Sequence, residues 1–194
     1  MASWSEKICD LPPNRRHIAT HNAEGKSVYV SSAPPQVYVN TGGPGLAHSY
    51  SIAAVPVKME NDADLKAYLS EGQVNSQKST HIVVPETPET PNGANLLVVD
   101  LPPGAVSGMH RTLSIDFSIC VIGTIIHELD SGEKVVLKPG DHIVQRGTMH
   151  KWHNASDTEP ARFVAVTLPA VPFPLPGTGE MLREIHVPNT NTKL

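Results

Sequence analysis

The sequence predicts a single all-β domain, on the basis of its length, its turn residues and the apolar runs between them. Its 194 residues suffice for one domain with a sizeable core, whereas a second full domain would be cramped. The 18 prolines and 14 glycines interrupt the chain too often for a helical bundle. Short β-branched runs fill the intervals, a pattern typical of a sandwich, a jelly roll or a small barrel.

Residues 1–94 are predicted to form an N-terminal extension of added strands and one short helix. The helix is expected near residues 61–71, where Asn61 can cap its start and Gly72 can end it. A polar Pro-rich segment at 85–93 is expected to be a surface loop. The strands predicted before the helix are Arg16–Thr20, Ser27–Val30, Gln36–Asn40 and Tyr50–Lys58.

Residues 95–168 contain a denser series of strands and are predicted to form the barrel. Tight turns such as Asp130–Glu133 and Pro139–Asp141 separate them. The tail over 169–194 is rich in Pro, Gly and Thr and is expected to wrap over the surface. The predicted barrel strands are Leu96–Leu101, Phe117–Ile122, Thr124–Leu129, Lys134–Leu137, His142–Gln145, His150–His153 and Arg162–Leu168.

Charge and hydropathy exclude two classes of partner. Fifteen basic residues against 19 acidic ones give a formal charge of −4, which argues against binding a nucleic-acid backbone. No apolar run approaches the roughly 20 residues needed to cross a bilayer. The first seven residues also lack the apolar stretch of a secretory signal. We therefore expect a cytoplasmic protein that acts on a small molecule, with no nucleic-acid or membrane partner.

Several chemically active side chains are expected to face the barrel interior. Successive side chains of a strand point to opposite faces, so His110 and Asp116 share one face, as His150 and Trp152 do on a later strand. Two histidines and one carboxylate inside a barrel form a common ligand set for Zn²⁺, Fe²⁺ or Mn²⁺. The spacing therefore indicates a metal or acid–base site.

His127 is the second unusual residue of the predicted interior. It shares a face with Ile125 and Leu129, and a histidine on an aliphatic face is costly unless it is hydrogen-bonded or bound to something. An unperturbed imidazole titrates near pH ~6.5, so it can exchange protons under cellular conditions. A purely structural hydrogen bond, to backbone or to Cys120, is the alternative for this residue.

The region 96–168 resembles the cupin family. Residues 109–116, followed after six residues by Gly123, fit the register of the first cupin motif, G(x)5HxH(x)3–4E(x)6G. The second motif, G(x)5PxG(x)2H(x)3N, is matched by Gly140, by 147–150 and by Asn154. Segments such as Lys138-Pro139-Gly140-Asp141 also look like the small cupins of fungal natural-product gene clusters, some of which are labelled oxidoreductases.

The resemblance implies a jelly-roll barrel and a metal site held by His110, Asp116 and His150. Two departures weaken that site, because Thr112 replaces the second histidine of the motif and Asp116 is one methylene shorter than the usual glutamate. Three interpretations therefore stay open. The triad holds Zn, Fe or Mn, or the site is metal-free and uses histidines as acid and base, or it is vestigial in a binding protein.

These residues favour an acid–base enzyme. In related small cupins the position of His127 usually holds an aliphatic residue, so we predict catalytic roles for His127, His150 and Asp116, with either histidine as the base. The predicted substrate-binding residues are Thr112, Ser114, Phe117, Met149 and Trp152.

The predicted reaction is dehydration, decarboxylation or isomerisation of a polyketide-like or other small carbonyl-containing intermediate. An Fe(II)-dependent oxidoreductase is the alternative, and a ligand-binding cupin without turnover is the second. Pairing of the extra N-terminal strands between subunits would also cover exposed sheet edges, so the sequence predicts a homodimer.

Overall fold

The computed structural model describes residues 4–31, 33–40, 43–73, 75–79 and 93–185. In these ranges the chain is mostly β-strand with one short α-helix, which confirms the predicted fold class. Residues 85–92 of the expected Pro-rich loop and 186–194 of the tail lie outside the described ranges. The elements are β1 (Trp4–Ser5), β2 (Ala19–His21), β3 (Ser27–Tyr29), β4 (Tyr38–Asn40), β5 (Gly45–Ile52), a 3₁₀ turn (Glu60–Asp62), α1 (Ala63–Leu69), β6 (Ala94–Leu101), β7 (Ser114–Ile122), β8 (Ile125–Leu129), β9 (Lys134–Leu137), β10 (His142–Arg146), β11 (His150–Asn154) and β12 (Ala161–Pro169).

Strands β6 to β12 form the jelly-roll barrel from two sheets. The larger sheet has seven strands in the order β1-β4-β5-β6-β12-β7-β10, and the smaller has the order β11-β8-β9. All pairings in both sheets are antiparallel. Apolar side chains from both sheets pack together between them, among them Ile125 and Trp152 of the smaller sheet and Phe163 of the larger. Strands β9 and β10 are thereby the edge strands at one side of the barrel.

Strand β7 presents polar side chains to the barrel interior and apolar side chains to the outside. Ser114, Asp116 and Ser118 are buried, whereas Phe117 is 41% and Ile119 36% exposed. The usual pattern of a half-buried strand is the reverse, with apolar residues inside. Interior polar groups on β7 are costly unless they are hydrogen-bonded, so this inversion marks the part of the barrel where a site is expected.

The N-terminal strands extend the larger sheet of the same chain. Strand β5 pairs with β6, and β4 and β1 follow at the outer edge. The strand predicted at Tyr50–Lys58 is wrong in position, because β5 runs over Gly45–Ile52. Pro56 lacks the N–H that a sheet ladder needs, so the strand cannot continue through it. At the start of β5 the Ile8 side chain packs so close to Gly45 that a β-carbon there would collide with it. The expected pairing of these N-terminal strands between subunits stays a prediction.

Helix α1 lies where a helix was predicted but begins differently. Asn61 belongs to the preceding 3₁₀ turn, and Asp62 occupies the N-cap position without a side-chain capping bond. The predicted cap at Asn61 is therefore wrong. Tyr68 holds the helix to the barrel, because its fully buried hydroxyl donates to the carbonyl of His48 at 2.8 Å. No helix in the described ranges is long and apolar enough to cross a membrane.

A buried ion pair and the C-terminal tail connect distant parts of the chain to the barrel. Arg162 on β12 donates from Nε and Nη2 to Asp100 on β6 at 2.6 and 2.7 Å, and from Nη1 to the carbonyl of Pro12 at 3.1 Å. At the other end of the sequence, Ile185 and Arg111 exchange backbone hydrogen bonds of 2.9 and 3.0 Å. The tail thus fixes the segment that contains His110.

Candidate active site

Three of the predicted histidines lie side by side inside the barrel. His110 pairs with His150, the first residue of β11, through two backbone hydrogen bonds of 2.9 Å, and their ring centroids lie 4.2 Å apart. His127, in the middle of β8, stacks on His150 with 5.4 Å between ring centroids. All three residues are buried.

Backbone carbonyls orient the rings of His110 and His150. Nδ1 of His110 lies 2.9 Å from the carbonyl oxygen of Gly108, and Nδ1 of His150 lies 3.0 Å from that of Thr148. Because a carbonyl oxygen only accepts, Nδ1 carries the proton in both rings. In the neutral imidazoles the lone pair therefore resides on Nε2, where it can accept a proton or a metal ion.

His127 is linked to Asp116 through Gln145. The Oε1 atom of Gln145 lies 2.9 Å from Nε2 of His127. The amide nitrogen of Gln145, its own Nε2, donates to Oδ2 of Asp116 at 2.8 Å. Ser114 donates from Oγ to the other carboxylate oxygen at 2.6 Å. Gln145 and Asp116 face each other on the paired strands β10 and β7, whereas His127 belongs to the smaller sheet. The hydrogen-bonded chain therefore crosses the barrel interior.

Burial shifts the pKa of each titratable group in this cluster in the direction that favours the neutral form of the group. It lowers the pKa of His110 and His127, although the hydrogen bonds that the two rings donate to Gly108 and Gln145 respectively oppose the shift. Burial and then the neighbouring His110 hold the pKa of His150 well below its ordinary value. Burial raises the pKa of Asp116 to about 6, against the hydrogen bonds from Ser114 and Gln145. At pH 7.5 the site thus combines neutral imidazoles with an ionised carboxylate.

A cavity of about 290 Å³ reaches this cluster between the edge strands β9 and β10. His127 and Gln145 are the two residues of the hydrogen-bonded chain that line it. Behind His127, the ring of Trp152 packs edge-on at 4.6 Å between centroids and itself stacks on Phe163 at 4.4 Å. The remaining lining residues are Leu129, Glu133, Lys134, Val135, Ile143, Val144 and Thr148. A small, largely apolar molecule with an oxygen group facing His127 fits this lining.

Comparison with known proteins agrees with the motifs in the sequence. The cupin domain profile matches residues 97–167. "Phomopsin biosynthesis cluster protein C′" of Diaporthe leptostromiformis is 40% identical over 177 residues, which cover 90% of this chain and 88% of that protein. "Oryzines biosynthesis cluster protein J" of Aspergillus oryzae is 33% identical over 189 residues, covering 95% and 99%. "Cupin-domain-containing oxidoreductase virC" of Hypocrea virens is 36% identical over 162 residues, covering 81% and 77%.

The chain belongs to the cupin family. More narrowly, it is a cupin of the kind found in fungal natural-product clusters, as the resemblance implied.

The metal ligands predicted for this cupin do not form a three-ligand site. Many cupins bind a metal ion such as iron or manganese, and Nε2 of His110 and of His150 would suit one. Asp116, however, uses both oxygens in bonds with Ser114 and Gln145. Throughout the described ranges, no three His, Cys, Asp or Glu side chains are grouped so that they could hold a metal ion. The residues present therefore do not fit the predicted Zn, Fe or Mn site.

The predicted substrate-binding residues of the cupin divide into three groups. Thr112 and Ser114 are buried, as is Trp152, which contacts His127. Met149 is half-buried and does not line the 290 Å³ cavity. Phe117 is on the outer face of β7, so its predicted contact with substrate inside the barrel is wrong. Phe117 directly follows Asp116, and successive side chains of a strand point to opposite faces, so Phe117 points away from the barrel interior.

Gln145 is the functional residue of the cupin that sequence reasoning missed. The signal was available, because Gln145 alternates with exposed Val144 and Arg146 and therefore faces inward, where an amide requires partners. Which groups it joins could not be read from spacing, since His127 lies on a strand that does not pair with β10.

Proposed function

We propose that this cupin is an enzyme that transfers protons on a small carbonyl-containing natural-product intermediate, catalysing isomerisation, dehydration or decarboxylation in the barrel cavity. The observation that carries the proposal is His127, which lines the 290 Å³ cavity while its Nε2 is held by Gln145. A histidine with one nitrogen fixed and the other free is the usual arrangement of a general base.

The base in this proposal is Nδ1 of His127. The oxygen of Gln145 only accepts, so Nε2 of His127 carries the ring proton and the lone pair lies on Nδ1. The bond from Nε2 to Gln145 is the one hydrogen bond that the His127 ring makes within the described ranges. Nδ1 takes a proton from the carbon beside the substrate carbonyl. The electron pair of that C–H bond forms a C=C bond to the carbonyl carbon, while the π pair of the C=O bond moves onto the oxygen to give an enolate, and the C=O bond re-forms in the next step.

The same imidazole completes the reaction as an acid. In an isomerisation, the imidazolium returns the proton to a different carbon of the substrate. In a dehydration, it gives the proton to the hydroxyl on the next carbon, which leaves as water while the C–O electron pair departs with the oxygen. Either sequence returns His127 to its neutral form. Asp116 stabilises the transient positive charge through Gln145, to which it is hydrogen-bonded.

The resting charge of the site favours isomerisation and dehydration over decarboxylation. Burial lowers the pKa of His127, so the resting imidazole is neutral and ready to accept a proton. Decarboxylation begins instead with loss of CO2 and needs a proton donor for the resulting carbanion. The adjoining His150, itself neutral because burial lowers its pKa, lacks a proton on the nitrogen that its backbone bond leaves free.

Oxidation is the second candidate function. It is favoured by the relative from Hypocrea virens, whose name describes an oxidoreductase. Oxidation needs an electron acceptor such as dioxygen, whereas the proton-transfer reactions do not, so the two functions make opposite predictions about oxygen.

The deciding experiment is incubation with candidate pathway intermediates in D2O under strict anaerobiosis. We expect product to form without oxygen. Where the product is an isomer, it should carry deuterium at the carbon that received the proton, to the extent that the imidazolium exchanges with D2O before the transfer. His127→Ala should lower turnover by about 10²–10⁴-fold, the usual contribution of a general base. His142→Ala removes an exposed histidine of β10 and should leave turnover unchanged. Product that appears only after oxygen is admitted would overturn the proposal in favour of oxidation.

A further inference from the structure

We propose that Gln145 is a positioning residue that determines which nitrogen of His127 carries the ring proton, and that it does so according to the group at position 116. The inference rests on the proposed function, because it names how that site keeps Nδ1 of His127 free for substrate. Gln145 is only 2% exposed, and the described residues offer its side chain two polar neighbours, His127 and Asp116.

The carboxylate of Asp116 fixes the orientation of the Gln145 amide. An ionised carboxylate only accepts hydrogen bonds, so the NH2 end of the amide must face it, as the 2.8 Å bond requires. The reverse orientation would place two acceptor oxygens in contact in a buried site, which is strongly unfavourable. Ser114 occupies the other carboxylate oxygen and prevents Asp116 from turning away.

The amide orientation in turn fixes the tautomer of His127. Because the NH2 end faces Asp116, the carbonyl end faces Nε2 of His127 and compels that nitrogen to carry the proton. The tautomer is the opposite of that in His110 and His150, which donate from Nδ1 to backbone carbonyls. One barrel therefore holds both tautomers, and each is set by the partner of the ring.

Asparagine at position 116 should reverse this arrangement. Ser114 would hold the asparagine oxygen, so the asparagine NH2 would face Gln145 and draw the amide oxygen of Gln145 towards itself. The NH2 end of Gln145 would then donate to Nε2 of His127, and the ring proton would move to Nδ1. A second substitution, Gln145→Glu, restores the original state, because a glutamate accepts both from the asparagine and from Nε2 of His127.

The tautomers can be measured by ¹⁵N NMR on the full chain labelled at histidine, at pH 7.5. In the wild type we expect the proton of His127 on Nε2, with His110 and His150 in the same spectra showing it on Nδ1. Asp116→Asn should move the proton of His127 to Nδ1, and Asp116→Asn with Gln145→Glu should return it to Nε2. The rings of His110 and His150 should not change in either variant.

Turnover of a substrate found in the anaerobic screen gives the second readout. Asp116→Asn should lower kcat about 100-fold with little change in KM, and the double variant should recover to within about tenfold of the wild type. A His127 proton on Nδ1 in the wild type, or one tautomer in all three proteins, would overturn the role of Gln145. If the tautomers change as expected while no intermediate is turned over by any of the proteins, the proposed function fails and the control of the tautomer by Gln145 stands.

Discussion

Replacing Asp116 with asparagine should change how the free energy of unfolding depends on pH. In the folded protein, burial raises the pKa of this carboxyl from its ordinary 3.8 to about 6. A raised pKa means that the folded state holds the proton more tightly than the unfolded chain does. Its contribution to stability is therefore fully present below pH 3.8 and is lost as the pH rises through about 6. Asparagine does not titrate, so the variant does not lose this stability as the pH rises.

The size of the effect follows from the two pKa values. The difference between 3.8 and about 6 corresponds to about 3 kcal/mol over the whole titration. About 1 kcal/mol of this has already been lost when the pH has risen to 4.5, which leaves about 2 kcal/mol to be lost between pH 4.5 and pH 7.5. The variant should therefore gain about 2 kcal/mol of stability relative to the wild type over this interval.

Urea denaturation at pH 4.5 and pH 7.5 measures this relative gain. The comparison cancels the opposite contribution of the buried histidines, whose lowered pKa values destabilise both proteins as the pH falls. Asp130→Asn removes an exposed carboxyl from the turn after β8 and should show no relative change. A difference between Asp116→Asn and wild type that stays constant within about 0.5 kcal/mol would refute the burial argument.

Four further predictions can be tested on the same protein, three of them from its structure and the homodimer from its sequence alone. His127→Leu should abolish turnover without stabilising the barrel, because it leaves the buried Oε1 of Gln145 without its hydrogen-bond partner, whereas a non-catalytic binding cupin would keep its affinity for ligand in calorimetry. Arg162→Met should cost about 3–5 kcal/mol in denaturant unfolding because Asp100 would stay buried without its partner, and a cost below about 1 kcal/mol would contradict this. Light scattering at micromolar concentration should give the mass of the predicted homodimer, and a monomer mass would refute it. Elemental analysis of protein purified without chelator should find well under one equivalent of Zn, Fe or Mn, since His110 and His150 lack a third ligand in the described ranges, and one full equivalent would show that Asp116 leaves Gln145 to bind metal.

The barrel strands could be predicted because each combines β-branched residues with a turn signal at its end. Strand β9 lies at Lys134–Leu137 as predicted, between the turns at Gly132 and Gly140. Strand β5 was misplaced because its buried residues include His48 and Ser49, which carry no apolar signal. Their burial depends on pairing with β6, which lies far away in the sequence.

The candidate site was predictable only as far as the alternation of side chains reaches. Alternation identified the inward direction of His110, Asp116, His127 and His150, and the structure finds all four buried. It could not show that Asp116 is committed to Ser114 and Gln145, because this depends on the register between β7 and β10. Metal ligands must lie close together across the barrel, and the sequence of a single strand does not show the distances between strands.

Contacts from residues on both sides of the matched segment mean that this cupin domain cannot be transplanted as that segment alone. A fragment limited to the matched residues 97–167 would leave β6 without its neighbour β5 and the guanidinium of Arg162 without the carbonyl of Pro12. It would also leave Arg111, next to His110, without the strand partner Ile185. An insertion or fusion that separates either end from the barrel therefore acts on the site itself. The unit that holds the candidate site extends well beyond the segment that defines its family.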